Sequence, residues 1–461
     1  MKEKITKKIF IIDTNVLIVD PTVFLHMGEH NVVIPLVVIE EVDKLKNKGT
    51  SVAASARQVS ANLDSYLGPD LYKDGVSLGP GKGKLSIQNV KQLHPEVKHM
   101  FREDTPDNRI LSLVLSVKEA VAREENKKKR QKKKIVPTSV IFVSNDINLR
   151  FKAGALGIQV EKYRNNAIDD VNTIYSGIEY ISLNAELVAK MYSDGKVSYQ
   201  EVIDFMGDNF TPEPYPYEFF VIPGEADQKV FSYYHEGFLY PIINGNKVYG
   251  DVTPRNDEQR LAMNILLNPD VNLVTLSGPA GTGKTLLAIA AAMQQADLFG
   301  QILISKPIVA LSDKDNGFLP GDMLEKVQPY MQSLYDNINF LKASCKNGDK
   351  TKLERLTESS KLLVEPLAYI RGRTYANTIL IVDEAQNLSP LEIKTIVTRM
   401  GENSKVIFTG DIYQIDDKYL DSTNNGLTYL IEKAKFYENA AHIDLRKGER
   451  SALAECGGKN L

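Results

Sequence analysis

A chain of 461 residues is too long for one ordinary hydrophobic core, so two or three domains are expected. Hydrophobic residues make up 43 % and charged residues 25 %, the balance of a globular protein, and a net charge of −3 excludes a globally basic binder, so any grip on nucleic acid must come from local patches. Two distant cysteines, Cys345 and Cys456, exclude a disulfide framework and fit a reducing cytoplasm. No apolar run reaches about 18 residues, so no membrane span is expected. Basic residues lead into an apolar run at the N-terminus as in a signal peptide, but Asp13 and Asn15 interrupt it and no small-residue cleavage site follows. The six histidines show no metal-ligand spacing.

Residues 8–13, Lys-Ile-Phe-Ile-Ile-Asp, read as a strand buried on both faces, with Asp13 at its carboxyl end, where open α/β sheets place their sites. A short strand over 31–35 and a helix beginning near Val37 follow, the helix carrying Glu40, Glu41 and Asp43. Residues 51–66 predict an amphipathic helix, and the Gly- and Lys-rich stretch 68–84 an exposed loop or hairpin. Thr105-Pro106-Asp107-Asn108 is a helix-start signal that puts Asp107 at or near an N-cap. Residues 127–134 pack seven cations into eight positions, which predicts a self-repelling mobile loop. It reads either as a solvated surface segment or as an arm that attracts phosphates. Ser139 to Asp146 repeats the first strand's design, apolar with an acid at its end.

Asp13, Glu41, Asp107 and Asp146 thus come from separate segments, each at an element's end or within its first turns. Two carboxylates about 4 Å apart repel by roughly 4 kcal/mol at an effective dielectric near 20, so four together require a cation. Such a site would hold Mg²⁺ or Mn²⁺, ions that activate water and stabilise the leaving oxygen of a phosphodiester. Taken singly, Asp107 reads equally as a helix cap and Asp146 as a turn residue. The segments Ile11-Ile-Asp-Thr-Asn15, Ile34 to Asp43, Asp107-Asn-Arg-Ile-Leu111 and Val143-Ser-Asn-Asp146 together resemble the PIN-domain nucleases over about residues 8–165. The resemblance implies a three-layer α/β fold, cleavage of single-stranded RNA, and metal-binding and catalytic roles for Asp13, Glu41, Asp107 and Asp146, with Asn15 and Asn148 in support. Glu40 competes with Glu41, which is favoured because it directly precedes the apolar residue of Glu-Val-Asp.

Residues 176–250 predict a connector. A helix over 182–192 and a proline-punctuated boundary over 211–217 precede short strands with Gly turns, the makings of a small β module. Its tyrosines and phenylalanines read as core, with stacking on bases as the alternative.

From residue 251 onward the pattern changes to strands alternating with helices, which implies a mostly parallel sheet with helices on both faces. Residues 271–285 read as strand, glycine-rich loop and helix, and match Gly-x-x-x-x-Gly-Lys-Ser/Thr. Gly278, Pro279, Ala280, Gly281, Thr282 and Gly283 would cradle phosphates with backbone N–H groups, Lys284 would reach the β- and γ-phosphates, and Thr285 would ligate Mg²⁺. Further strands are expected at 302–305, 378–383, 405–409 and 442–445. Asp383 and Glu384 close the second of these, where one acid holds Mg²⁺ and its neighbour deprotonates or orients the attacking water. Gln414 ends the segment after the next strand, placed to sense the γ-phosphate, and Arg450 is a candidate arginine finger.

The phosphate loop, Asp383-Glu-Ala-Gln386, Thr409-Gly-Asp-Ile-Tyr-Gln414 and Arg446-Lys-Gly-Glu-Arg-Ser451 together resemble the PhoH-like ATPases, which share the layout of superfamily 1 helicases. Gly317 to Asp322 and Ile370-Arg-Gly-Arg-Thr374 also match. The resemblance implies a RecA-like P-loop domain, ATP with Mg²⁺, and Gln259 near the adenine. It further implies Gln414 and Arg450 on the γ-phosphate, and Arg371 and Arg373 facing a nucleic-acid strand or a neighbouring subunit. The expected organisation is a PIN-like nuclease domain over 1–175, the connector over 176–250 and the ATPase over 251–461. The expected function is an ATP-dependent RNA translocase or helicase coupled to an endoribonuclease, in the cytoplasm. A second RecA-like domain has no room, so a homo-oligomeric ring is expected to supply neighbours. The alternatives are an ATPase whose first domain binds RNA without cutting it, and a nucleotide kinase, against which the Asp383-Glu384-Ala-Gln386 box weighs.

Overall fold

The computed structural model describes residues 7–46, 51–131, 137–163, 171–207, 213–224, 228–243, 249–308, 323–345, 347–370, 372–417 and 419–449. Its chain contacts separate into two compact units, Met1–Ala167 and Ile168–Leu461. No helix among the described residues is long and apolar enough to cross a membrane.

The first unit is built on a six-stranded sheet. From edge to edge run Val76–Ser77, Lys84–Gln88, Asn31–Pro35, Lys7–Ile12, Thr138–Val143 and Val160–Glu161, all parallel except the first. After Lys7–Ile12 the chain builds outward on one side, then crosses to Thr138–Val143 on the other. The carboxyl ends of these two strands therefore form the topological switch point at which α/β sheets bind ligands. Ile11, Ile12, Phe142 and Val143 are buried there, as continuous apolar strands require.

The 68–84 stretch holds the expected hairpin, Val76–Ser77 pairing antiparallel with Lys84–Leu85, and the strand Lys84–Gln88 continues beyond it, pairing parallel with Asn31–Pro35 with Leu85, Ser86 and Ile87 buried. One expectation is corrected in this unit. Residues 127–130 are the last turn of a 25-residue helix, Pro106–Arg130, rather than a loop. Cations there face the negative end of the helix dipole, and Lys128 Nζ meets Glu124 Oε1 one turn back at 2.5 Å, which offsets their mutual repulsion. Lys132, Lys133 and Lys134 lie outside the described residues.

The second unit contains two sheets. The smaller has the order Ile178–Tyr180, Phe219–Pro223, Lys229–His235, Phe238–Pro241 and Val197–Ser198, mostly antiparallel. One face packs against the helices Ala185–Ser193 and Tyr199–Met206 through Phe220, Ile222 and Leu239. Phe219, Val221 and Phe231 belong instead to the large apolar core around the phosphate-loop helix, so most of these aromatics pack rather than face solvent.

The larger sheet is parallel throughout, in the order Leu362–Pro366, Gln301–Lys306, Thr378–Val382, Lys405–Gly410, Leu273–Ser277 and Ala440–Asp444. The edge strand Leu362–Pro366 has no counterpart among the sequence expectations. Thr378–Val382 and Lys405–Gly410 are buried along their whole length. Helix Lys284–Gln294 runs behind the sheet with Leu287 to Met293 buried, because alanines let it approach closely.

Lys405 is 2 % exposed, and its Nζ donates to the carbonyls of Leu266 at 2.7 Å, Asn268 at 2.8 Å and Ile265 at 3.3 Å. It thereby satisfies the C-terminus of helix Asp257–Leu267. Burial pulls this ammonium down to about 7, and the carbonyls at the negative end of the helix oppose that. Lys405→Met should remove three hydrogen bonds at this helix end, with Leu266 O keeping Gln295 Nε2 at 3.0 Å and Asn268 O keeping Val271 N at 3.4 Å, and cost about 2 kcal/mol, read as a lower urea midpoint at unchanged m-value.

Candidate active sites

In the first unit Asp13 is the N-cap of helix Thr14–Val19 and is 4 % exposed. Its Oδ1 accepts from Thr14 N at 2.7 Å, and its Oδ2 from Asn15 Nδ2 at 2.7 Å and Ser144 Oγ at 2.6 Å. Ser144 Oγ in turn accepts from Asp146 N at 3.1 Å, and Asn15 Oδ1 from Asn145 N at 3.0 Å. The two strand ends are thus tied by a polar network. Thr14 Oγ1 donates to Glu41 Oε2, so Thr14 bridges the first two acids. Glu41, on helix Leu36–Leu45, is the acid held there, while Glu40 is exposed.

Burial, chiefly, lifts the Asp13 carboxyl to about 7, with Glu41 and Asp107 adding to the rise. Burial also raises Glu41, and Asp107 contributes again. These three acids share one electrostatic field. Asp107 sits in the first turn of its helix behind the cap Thr105, and Lys152 Nζ approaches its Oδ2 at 3.0 Å. Asp146 is exposed and caps helix Ile147–Ala155, its Oδ1 accepting from Leu149 N at 2.9 Å. Asn148 is exposed beyond it. Among the described residues no three acidic, His or Cys side chains close around one point as a metal cage would. The donors nevertheless suit a hard divalent cation, since they are carboxylates alone, Asp13 and Glu41 both lifted by burial and by the neighbouring Asp107. Lys152 is paired with one of them, Asp107, in this structure. Ser144 and Thr14 were not singled out from sequence, because a lone Ser or Thr beside an acid carries no spacing signal.

In the second unit the phosphate loop lies between strand Leu273–Ser277 and helix Lys284–Gln294. Gly281 and Gly283 adopt φ of +87° and +89°, which opens the loop's N–H groups. Gly278, at φ +134°, has no room for a side chain, as a Cβ would lie 1.9 Å from Leu445 O. Gly278→Ala should therefore cost about 3 kcal/mol in strain and overpacking, seen as a drop in melting temperature. Lys284 is 8 % exposed, and its Nζ folds back onto Gly278 O at 2.6 Å and Pro279 O at 2.9 Å. Burial lowers its pKa, while Asp411, Asp383, Glu384 and Asp444 pull it up.

Thr285 Oγ1 donates to Asp383 Oδ1 at 2.8 Å, as does Thr409 Oγ1 at 2.5 Å. Burial and Glu384 raise the Asp383 carboxyl. A threonine hydroxyl and a buried carboxylate thus share one point beside the loop, a donor set that fits Mg²⁺ on a nucleotide. Glu384 has a left-handed backbone, φ 54° and ψ 40°, and its carboxylate is held by Gln386 Nε2 at 2.6 Å and faced by Lys306 Nζ at 3.6 Å. Gln386 also donates to Gln414 O at 2.8 Å and accepts from Asp411 N at 3.1 Å. Gln414 therefore joins the site through its backbone, its side chain exposed.

Gln259 is 5 % exposed, with Nε2 donating to Thr282 O at 2.9 Å and Oε1 accepting from Arg255 N at 2.8 Å. Its amide props the phosphate loop. The chain after strand Ala440–Asp444 crosses the loop: Glu449 N donates to Gly281 O at 3.0 Å, and Asn256 Nδ2 to Glu449 Oε1 at 2.8 Å. Glu258 Oε2 accepts from Arg446 N at 2.7 Å and Lys447 N at 2.9 Å. Arg450, Arg371 and 317–322 lie outside the described residues, and Arg373 is exposed, with its guanidinium 5.6 Å from the Tyr375 ring.

Two family descriptions match the chain, "PIN domain" over residues 10–164 and "PhoH-like protein" over 251–455. The chain is similar to Protein PhoH2 of Bacillus subtilis, 36 % identical over 97 % of this chain and 98 % of the relative. It is also similar to Protein PhoH2 of Mycolicibacterium smegmatis, 29 % identical over 96 % of this chain and 94 % of that one. With both domains matched in order and a relative of this identity aligned over nearly its whole length, the chain belongs to the PhoH2 family, with a PIN domain ahead of a PhoH-like P-loop ATPase domain.

Proposed function

We propose that this protein hydrolyses ATP to move single-stranded RNA, and that its PIN domain cuts that RNA as a divalent-metal-dependent endoribonuclease. The observation that carries the reading is the pairing, in one chain, of two acid sites of different design. One has Asp383 joined to Thr285 beside a phosphate loop; the other has Asp13 and Glu41 joined through Thr14 at a sheet switch point.

In the ATPase, Lys284 leaves the loop carbonyls for the β- and γ-phosphates, and the loop's N–H groups take the phosphate oxygens. Thr285 and Asp383 would hold Mg²⁺, which spreads the charge developing on the transferred phosphoryl group. Glu384, fixed by Gln386, accepts a proton from the attacking water. Because Gln386 also grips the Gln414 backbone, a change at the γ-phosphate reaches the 411–417 segment. Arg450 is proposed to reach the γ-phosphate. In the PIN domain Asp13, Glu41 and Asp107, with Asp146 at the rim, would hold Mg²⁺ or Mn²⁺, which activates water and stabilises the leaving oxygen. Asn15 and Ser144 orient Asp13 throughout. A homo-oligomeric ring is proposed, and light scattering should give a multiple of 51.5 kDa.

The test is incubation of the full chain with labelled single-stranded and tailed duplex RNA, with and without ATP and Mg²⁺. Strand release should need ATP and fragments should need the metal. Fragments formed in excess chelator would refute the nuclease assignment. A second reading, an RNA-binding domain that does not cut, is favoured by Lys152 lying on Asp107 where a cation would otherwise be needed. Metal-independent RNA binding without product would establish it.

A further inference from the structure

The second unit carries a cleft of about 950 Å³ whose lining includes no phosphate-loop residue. It opens between the chain at 173–179, the chain at 213–218, the end of strand Lys229–His235, and residues 435–438 beyond helix Gly426–Ala434. At its floor Glu218 is 5 % exposed. One carboxyl oxygen, Oε2, accepts from Tyr215 N at 3.0 Å, and the other has no hydrogen bond among the described residues. Nearby, the Nδ1 of His235 is buried and likewise unmatched among them.

The walls already hold a cation. Lys435 Nζ lies 4.9 Å from the Tyr215 ring centroid, 5.5 Å from Phe436 and 5.8 Å from Tyr175, a cage of the kind that attracts ammonium groups. That ammonium is matched by Glu432 at 2.6 Å, so among the described residues Glu218 has no partner of opposite charge in contact. Four further carboxylates, Glu179, Glu213, Glu236 and Glu438, line the cleft against this one lysine. Their charge repels phosphates, so neither ATP nor an RNA backbone suits the cleft. Aromatic walls favour an organic ammonium over a strongly hydrated metal ion. The volume suits a chain of several methylenes rather than a single small ion.

We propose that this cleft binds an alkyl polyamine group, with one ammonium on Glu218 and the others on the acidic rim. The supporting thermodynamic sign is that burial lifts the Glu218 carboxyl to about 7, a cost that an incoming ammonium relieves. Two sources supply this chemistry: a free polyamine, or the lysine side chains of residues 127–134 of a second copy of the chain.

The test is calorimetric titration of the full chain, free of RNA and nucleotide, with spermidine and, separately, with a peptide of residues 125–136. MgCl₂ at matched ionic strength is the control. Saturable binding by either probe, at least about tenfold weaker in Glu218→Gln while ATP hydrolysis is unchanged, is the expected result. Spermidine alone binding assigns a free amine, and the peptide binding more tightly assigns the second copy. If Glu218→Gln does not fold, Glu179→Gln at the exposed rim should weaken binding about threefold. Absence of saturable binding, equal affinity in the variants, or displacement by Mg²⁺ at matched ionic strength overturns the proposal.

Discussion

Lys284→Ala should lower ATP hydrolysis by about a thousandfold, the scale of losing a group that stabilises transition-state charge. Lys284 is nearly buried and already neutralises the field of Asp383, Glu384, Asp411 and Asp444, so its loss removes the site's interior cation as well as a phosphate contact. Stability should fall as well, by about 1 kcal/mol, because one of its present acceptors, Gly278 O, is buried and loses this donor. Cutting of unstructured RNA should persist, since the acids of the PIN domain belong to the other compact unit. A variant that kept its hydrolysis rate would remove Lys284 from the mechanism.

Asp13→Asn should abolish RNA cleavage, to below about one part in a thousand, and leave ATP hydrolysis as it was. Asp13 accepts three hydrogen bonds, two of them on Oδ2, and an amide nitrogen cannot replace either oxygen as an acceptor. The same carboxyl predicts a pH dependence. A cation needs the ionised form, and the metal-free carboxyl titrates at about 7 instead of the ordinary 3.8. Mn²⁺ affinity should therefore fall about tenfold per pH unit below 7 and level off above it. Because the folded pKa is raised, the metal-free fold holds a proton between about pH 4 and 7 that the unfolded chain has released. Its stability should fall as pH rises through that window, by on the order of 4 kcal/mol from this group, and added Mn²⁺ should restore it. Calorimetry at pH 5, 6, 7 and 8, with and without Mn²⁺, measures both; flat affinity across that range would show that Asp13 is no ligand.

The glycine loop, the buried acid-tipped strands and the alternation of strand with helix are local patterns, and each was legible because it repeats over a few adjacent residues. Glu41 could be preferred to Glu40 only through a motif, and the structure adds the reason, that Thr14 reaches the one and Glu40 faces solvent. Strand Lys84–Gln88 escaped notice because its flanking glycines and lysines read as a loop, while burial of its short alternating run came from a strand fifty residues earlier. Repulsion alone makes 127–130 look like a loop, and the helix dipole and the glutamate a turn away keep these residues helical.

The sequence by itself determined which reactive groups this protein possesses and which strand or helix end carries each, since those depend on residue type and on the backbone within a few positions. Tertiary structure alone decided how they are joined. Ser144 meets Asp13 across 131 residues, Asn256 meets Glu449 across 193, and Lys405 closes a helix 137 to 140 residues before it. No local pattern encodes such contacts, because burying polar atoms costs free energy unless each is hydrogen-bonded, and only the packed fold brings these partners within reach.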